Sequence, residues 1–478
     1  MKPYLRLLTE EDLESIHNAS LRILEQTGML IDHDKAREIL QKEGAEVDHD
    51  RKIVKFPPQL VEEKLKFVPK SITYHGRTPE YDITLSPDGD IYARVAGGAI
   101  KYVDLKTGEN RRARIDDWKE FAILFDAMPN VQMIATLHCS DVPAQTSDIH
   151  SIQVLLENQR KAIIHNAFSL ENHRHIIEML LAVRGSKEEL SHRPLMHHML
   201  SPISPLFLDE NNTAQLLLAC EYGIPTDIPI MPSAAATAPI TLAGTLALAN
   251  AEFLGTMTLA QSARRGHSMP YFMDPVVADL RTGEALFGAP EIGILNAAVS
   301  QLGVEFYGFP PQGIGLASDG FSAEQTLFQR CQNTLMQCLA GGKLIIGAGT
   351  VESVMALSPV QLVIDNEIMS IARRWLRGIE VNEDTLAVEV IHRVGQRGHF
   401  LGDKHTLKYA RSGELIGADI LERGRRSAWL SQGGKNMEQK ARERALVILA
   451  KHQVDPLPRG VVEELRKIVN RADKEIMK

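Results

Sequence analysis

Between residues 131 and 349 the chain repeats one pattern: a short apolar run, then a longer amphipathic stretch. The runs are VQMIATLH (131–138), AIIHNAF (162–168), LMHHML (195–200), TDIPIMP (226–232), MPYFMDP (269–275), VEFYGFP (304–310) and LIIGAG (344–349). Successive starts lie about thirty to forty residues apart, the size of a βα unit. Seven such units are readable, and the eighth strand falls either around 351–356 or in IYARV at 91–95. No GxGxxG follows the first strand, and the series is too long for a simple doubly wound sheet. The spacing therefore predicts an α/β chain folded as a TIM (β/α)₈ barrel.

The flanks read differently. TEEDLESIHNASLRILEQTGM offers Thr9 as an N-cap, acidic residues in the first turn and an apolar stripe through Leu13, Ile16 and Leu21. Another helix starts after Pro58, and alternating segments such as ITYHG, YDITL and IYARV make 71–105 strand-rich. Three regions result: residues 1–110 as a helical and β-rich cap packed on the barrel, 111–378 as the barrel core, and 379–478 as a helical, charged extension. That extension is expected against the barrel's outside or a neighbouring subunit, and a homo-oligomer is expected.

Composition removes several functional classes. The 478 residues are 44% hydrophobic and 24% charged, an ordinary globular balance. The opening MKPYLRLLTEEDLE carries charge throughout, and no stretch approaches ~18 consecutive apolar residues, so a soluble cytoplasmic chain without signal peptide or membrane span is expected. Four cysteines in no CxxC pairing argue against a disulfide scaffold or zinc ribbon. A net charge of −8 disfavours nucleic acid, and Arg423, Arg425 and Arg426 read as a solvated helix face.

In a barrel, function sits at the carboxyl ends of the strands and in the loops that follow. That rule selects His138, His165, Asn166, the rigid SPISPLF (201–207), the small-residue PSAAATAPITLAG (232–244), Asp274, Asp279, Arg281 and the glycine-rich GFPPQGIGLASDG (308–320). The glycine loops lack the context of a phosphate cradle. His197 and His198 point to opposite faces of one strand, so they cannot share an ion, and neither HExxH nor another metal spacing occurs; no metal is expected. No GxSxG elbow appears either. Aromatic residues make up 5% of the chain, yet Tyr271, Tyr307 and Phe309 gather in the runs at 269–275 and 304–310. Core packing accounts for such rings, and aromatic faces converging on a pocket also suit a quaternary ammonium ion.

Several strings then resemble one family. PSAAATAPITLAGTLALANAEFL, ADLRTGEALFGAPE, SPISPLFLD, LIIGAGTVES and GHFLGDKHTLKYAR are similar, in order, to blocks of the trimethylamine methyltransferase family, and the resemblance runs from about residue 5 to 450. It implies a TIM barrel that moves a methyl group from a methylated amine to the cobalt of a corrinoid carried by a separate, cognate protein. Archaeal trimethylamine enzymes of that family carry pyrrolysine in the cavity, whereas this chain is written in standard residues. The corresponding region is read within 315–325, where glycine, serine and phenylalanine stand instead. The resemblance thus implies the non-pyrrolysine branch, with glycine betaine the leading substrate and proline betaine, carnitine or γ-butyrobetaine as alternatives.

The chemistry fits a quaternary amine. It departs as a neutral tertiary amine, so attack by Co(I) needs no general acid, and positioning and water exclusion are what remain for the protein. Barrel geometry then places Tyr307, Phe309 and Tyr271 at the cation, Arg281 or His165 at a carboxylate, with the NH groups of 312–320 also available, and Asp274 or Asp279 assisting the cation. No catalytic residue is assigned. The corrinoid protein is expected over the 201–207, 232–244 and 312–320 loops. Two other classes stay open: a barrel lyase or aldolase, for which Lys343 precedes its strand and lies at the wrong end, and a protein that binds betaine without turning it over.

Overall fold

A computed structural model describes residues 4–320, 322–417 and 419–477. Eight short strands form one parallel sheet: β1 Tyr92–Val95, β2 Met133–Ala135, β3 Ala162–His165, β4 Met196–Met199, β5 Thr226–Asp227, β6 Tyr271–Phe272, β7 Pro311–Gly313 and β8 Leu344–Ala348. Neighbours in sequence are neighbours in the sheet, and β8 returns to pair with β1 through Leu344↔Tyr92 and Ile345↔Ala93. Between β5 and β6 the ladder thins to a Thr226 N–H bond to the Ser268 carbonyl at 3.0 Å and an Ile230↔Met273 bridge. The sheet thus curls into a nearly closed TIM barrel.

Two sequence expectations need correction. The eighth strand is Tyr92–Val95, so the first barrel strand lies inside the 1–110 stretch read as cap. VEFYGFP is not a strand: Leu302–Tyr307 is a π-helical continuation of the helix Pro290–Gln301, ended by the left-handed Gly308 at φ 64°. The strand follows at Pro311–Gly313, because the Phe309 N–H is held by the Gly303 carbonyl at 2.7 Å and the chain extends only beyond it. A short apolar run reads equally as a buried strand or a buried helical turn.

Alternation along the strands sorts side chains into two cores. Ile134, Ile163 and Met196 face outward into the layer of helices, alongside Ile149, Ile152 and Ile176. Met133, Ala135, Ala162, Ile164 and Leu344 face inward, where they meet Ile72, Tyr74, Ile83 and Leu85. Those four belong to a hairpin, Ile72–Tyr74 paired with Ile83–Leu85, which plugs the barrel at the amino ends of its strands. The barrel is therefore open at one end.

The amino-terminal helix α1, Glu10–Gln26, begins at a capping box in which Thr9 Oγ1 accepts from the Asp12 N–H and Asp12 accepts from the Thr9 N–H. It packs on the long, almost wholly buried helix Leu242–Ala263. At the far end, Met437–Lys451 packs on Pro359–Arg377, and Arg459–Ile476 on Leu170–Arg184. Among the described residues, no helix is long and apolar enough to cross a membrane.

Candidate functional site

Above its apolar floor the barrel interior turns polar. Tyr74 rises from the plug and donates to Asp227 Oδ2 at 2.9 Å, while the Gln312 amide donates to Tyr74 Oη at 2.6 Å and to Asp227 Oδ2 at 2.9 Å. His197 Nδ1 meets the other carboxylate oxygen at 2.9 Å, and its ring stacks on Tyr74 with centroids 3.8 Å apart. Each of these residues comes from an inward position of a different element: plug, β4, β5 and β7. Burial and the neighbouring Asp227 charge push the Tyr74 hydroxyl well above the ordinary tyrosine pKa, so it stays a donor.

Arg94, inward on β1, completes this layer. It is buried, its guanidinium carbon lies 5.4 Å from the centre of the Phe272 ring, and Asp227 and Asp274 supply its opposing charges. Burial draws its pKa down, and the two carboxylates act against that. Asp274 follows β6 toward the mouth. Its carboxyl, buried and hydrogen-bonded by the Ile314 N–H, is pushed up to about 7 by loss of solvent, with Arg94 opposing the shift. Arg94 Nε and Nη1, Asp274 Oδ1, His197 Nε2, Gln312 Oε1 and Ser318 Oγ are buried without a protein partner. Such atoms are costly unless something else satisfies them, and a bound polar molecule is what they can satisfy.

Beside the mouth runs a cleft of about 380 Å³ lined by Gly98, His138, Asn166, Phe168, Met199 and Asn212 among others, none of them acidic, lysine or arginine. The loop after β4 forms part of the rim and is pinned by Glu252, which accepts from Ser204 Oγ at 2.8 Å and the Leu206 N–H at 2.7 Å. Phe168, Ile203, Met231, Ile240 and Leu280, all in loops after strands, are exposed around the mouth. Gly347 allows the bulge in β8 beneath this rim: its φ is 113°, and a Cβ there would stand 2.4 Å from the Leu316 carbonyl oxygen.

The structure brings only one of the expected site residues into the barrel interior, namely Asp274. Tyr271, Tyr307 and Phe309 lie outside it. Tyr271 points outward from β6 toward the helix layer, with its hydroxyl on Asn250 Oδ1 at 2.8 Å; Tyr307 shares Asn250 and meets His17 Nδ1 at 2.8 Å. The rings pack on one another, with Tyr271–Tyr307 centroids 5.2 Å and Tyr307–Phe309 centroids 5.9 Å apart. A cation does sit on Phe309, but it is the chain's own Lys70, whose Nζ stands 3.8 Å from the ring centre. The physical reason is the π-helical turn, which precedes β7 and so belongs to the amino end of the barrel.

His165 also faces outward, bonded to Thr136 Oγ1 at 2.7 Å and standing 3.7 Å from Asp148. Its strand neighbours Ala162 and Ile164 take the inward positions. Arg281 is at an exposed loop tip, with its N–H and guanidinium on Asp279. Of the glycine-rich segment at 315–325, Leu316, Ala317 and Ser318 are buried at the mouth end of β7, and Phe321 lies outside the described residues. His197 and His198 do take opposite faces, the latter stacked on His173 at 4.3 Å. Among the described residues, no group of three or more His, Cys, Asp or Glu is placed to hold a metal ion.

Arg94, Asp227 and Tyr74 were not selected from the sequence, and Gln312 entered only as part of the 308–320 loop, not for its side chain. Two had a signal: a charge inside a run that reads as buried strand, Arg94 in IYARV and Asp227 in TDIPIMP.

The fold, the buried polar layer and the cleft at the mouth together define a TIM barrel whose candidate small-molecule site lies toward the carboxyl ends of its strands. The model of the trimethylamine methyltransferase (MTTB) family matches residues 1–477, and the chain belongs to that family of methyltransferases. A trimethylamine methyltransferase of Desulfitobacterium hafniense (strain DSM 10664 / DCB-2) is 30% identical over 469 residues, 98% of this chain and 94% of the relative. A glycine betaine methyltransferase of Desulfitobacterium hafniense (strain Y51) is 28% identical over 478 residues, 99% and 98% of the two chains. The crystal structure of the Methanosarcina barkeri monomethylamine methyltransferase shares the fold, with a TM-score of 0.52 at 11% identity over 93% of this chain and 95% of that one.

Proposed function

We propose that the chain moves a methyl group from a quaternary amine bearing a carboxylate, glycine betaine foremost, to the corrinoid of a separate protein docked on the barrel mouth. The observation that carries this reading is the placement of Arg94 and Asp274 together in the barrel interior, each buried and with unpartnered polar atoms. A betaine presents both signs within a few ångströms, and Arg94 and Asp274 offer the complement of each. A trimethylammonium ion, lacking the carboxylate, would leave the guanidinium unmatched, which is costly in a buried site. Membership of the methyltransferase family supports the reaction class, and the glycine betaine methyltransferase relative supports the substrate.

In this reading Arg94 holds the carboxylate through its planar fork, and Asp274 offsets the ammonium. The plug seals the floor, so the methyl to be transferred points to the single opening. The Co(I) corrinoid supplies the nucleophile. The leaving amine departs neutral, which is why the cavity needs no acid beside the reacting carbon. The exposed apolar rim and the cleft of neutral side chains suit a docked protein and an uncharged, amide-bearing ring system.

The test is spectroscopic. With a reduced cognate corrinoid protein and a panel of methylated amines, glycine betaine is expected to give the absorbance change of corrinoid methylation and trimethylamine none. Methylation from trimethylamine alone would overturn the substrate. Silence across the panel, with binding of betaine intact, would replace transfer by simple binding.

A further inference from the structure

The helix Leu242–Ala263 is buried along most of its length, and among its leucines, alanines and methionines stands one carboxylic acid, Glu252, wholly buried. Burial pushes its carboxyl up to about 7; the Leu206 N–H and the Ser204 hydroxyl oppose that shift, and among the described residues no charged group does. An acid buried without a cation is costly, and an apolar side chain of similar size would avoid the cost. What the acid supplies is a grip. Oε2 accepts from Ser204 Oγ at 2.8 Å and Oε1 from the Leu206 N–H at 2.7 Å, so each oxygen holds one point of the loop that follows β4.

That loop needs holding. Leu206 takes a left-handed φ of 59°, a conformation that is unfavourable for a leucine and persists only where the surroundings fix it. Its N–H is on Glu252, and its carbonyl accepts from the Leu30 N–H at 2.9 Å. The chain then leaves as Phe207–Leu208, paired in parallel with Met29–Ile31. Ile203, earlier in the loop, is exposed on the rim. Both ends of the loop run into the cleft beside the mouth: Met199 lines it before the loop, Asn211 and Asn212 after it. Asn211 carries the hold further, accepting from the Leu170 N–H at 3.0 Å and donating to the Phe168 carbonyl at 3.2 Å. A released loop would therefore reshape the rim and the cleft wall together.

We propose that Glu252 is a positioning residue for methyl transfer: by clamping Ser204 and Leu206 it gives the rim the fixed shape on which the corrinoid-bearing partner seats. The inference rests on the reading of the mouth as the docking face. A surface already shaped in the free protein loses little conformational freedom on binding, whereas a loop that must first be ordered binds more weakly. Glu252 acts through the loop, and the amine is held elsewhere, by Arg94 and Asp274. Removing the clamp therefore raises the concentration of partner that is needed and leaves the amine's own affinity unchanged.

Three variants of the full chain test it, assayed for methyl transfer to a cognate corrinoid protein and, by titration, for betaine binding. Glu252→Leu removes both bonds, Ser204→Ala removes one, and Glu252→Gln keeps both, since its amide oxygen accepts from Leu206 and its NH₂ donates to Ser204 Oγ. Glu252→Leu is expected to raise KM for the corrinoid protein about tenfold or more, with kcat at saturating partner and betaine Kd near the wild type. Ser204→Ala should show a smaller rise, and Glu252→Gln should restore the wild-type value. Hydrogen exchange at residues 203–207 should quicken in the first two and not in the third. Ser204→Ala also covers the case in which Glu252→Leu does not fold. An unchanged KM in a variant whose loop exchanges faster would overturn the proposal, as would Glu252→Gln as impaired as Glu252→Leu, or a betaine Kd that moves with KM. Those failures leave the methyl-transfer reading standing; a wild type that binds betaine and methylates no corrinoid protein removes that reading and this inference with it.

Discussion

Replacing Asp274 by asparagine isolates the cost of the buried charge in the cavity. The carboxyl is pushed from 3.8 to about 7 by burial. Between those values the folded protein retains a proton that the unfolded chain has released, so this group's contribution to stability falls as pH rises through that window and levels off above it. From pH 5 to 7 the loss amounts to two pK units, at most about 2.7 kcal/mol. The substituted amide stays neutral throughout, and its oxygen can still accept from the Ile314 N–H. The advantage of Asp274→Asn over the wild type should therefore grow by about 2–3 kcal/mol between pH 5 and pH 8. Unfolding entropy of roughly 2 cal/mol/K per residue gives about 1 kcal/mol/K for this length, so the Tm difference should widen by about 2–3 °C. The assay is calorimetry of both proteins at the two pH values, together with methyl transfer. Parallel Tm curves would refute the raised carboxyl. Undiminished transfer by a stabilised variant would refute its place at the substrate, whereas greater stability with lost transfer is the mark of a charge kept for function.

Other outcomes follow from the same geometry. Arg94→Lys exchanges a planar fork for a point charge, so KM for a betaine should rise about 10- to 100-fold, while tetramethylammonium, without a carboxylate, should be affected much less in a binding titration. As pH falls through about 7, Asp274 takes up its proton and betaine affinity should weaken; isothermal titration should find that dependence removed in Asp274→Asn. Tyr307→Phe removes a hydroxyl bonded to Asn250 and His17, which should cost about 1 kcal/mol or slightly more and lower Tm, yet leave KM unchanged, because the ring stands outside the barrel. A changed KM in that variant would return the aromatic group to the site.

The barrel was legible because its evidence is redundant: run after run recurs at the βα interval, and an error in one leaves the rest standing. VEFYGFP was such an error, and the fold survived it. The site had no redundancy. Asp274 could be placed from its position past a strand that ends at the mouth. His165 ends a strand too, but which way it points depends on the parity of a four-residue strand, and Ala162 and Ile164 hold the inward positions. The rings of Tyr271, Tyr307 and Phe309 looked like a cation seat by residue type, and Lys70, remote in sequence, already occupies it. Tyr74 was beyond reach of any local reading: its link to Asp227 spans 153 residues, and only the plug hairpin brings the two together.

That hairpin makes the barrel a vessel with one door. The floor closed by Ile72, Tyr74, Ile83 and Leu85 leaves no back exit, so amine, product and docking partner share one passage. On the proposed reaction traffic is then forced into sequence. The amine enters before the partner covers the mouth, and the demethylated product waits until the partner leaves. The order of binding and release is thus set by architecture, and residence of the partner, a property of the rim, governs how quickly the cavity can be refilled.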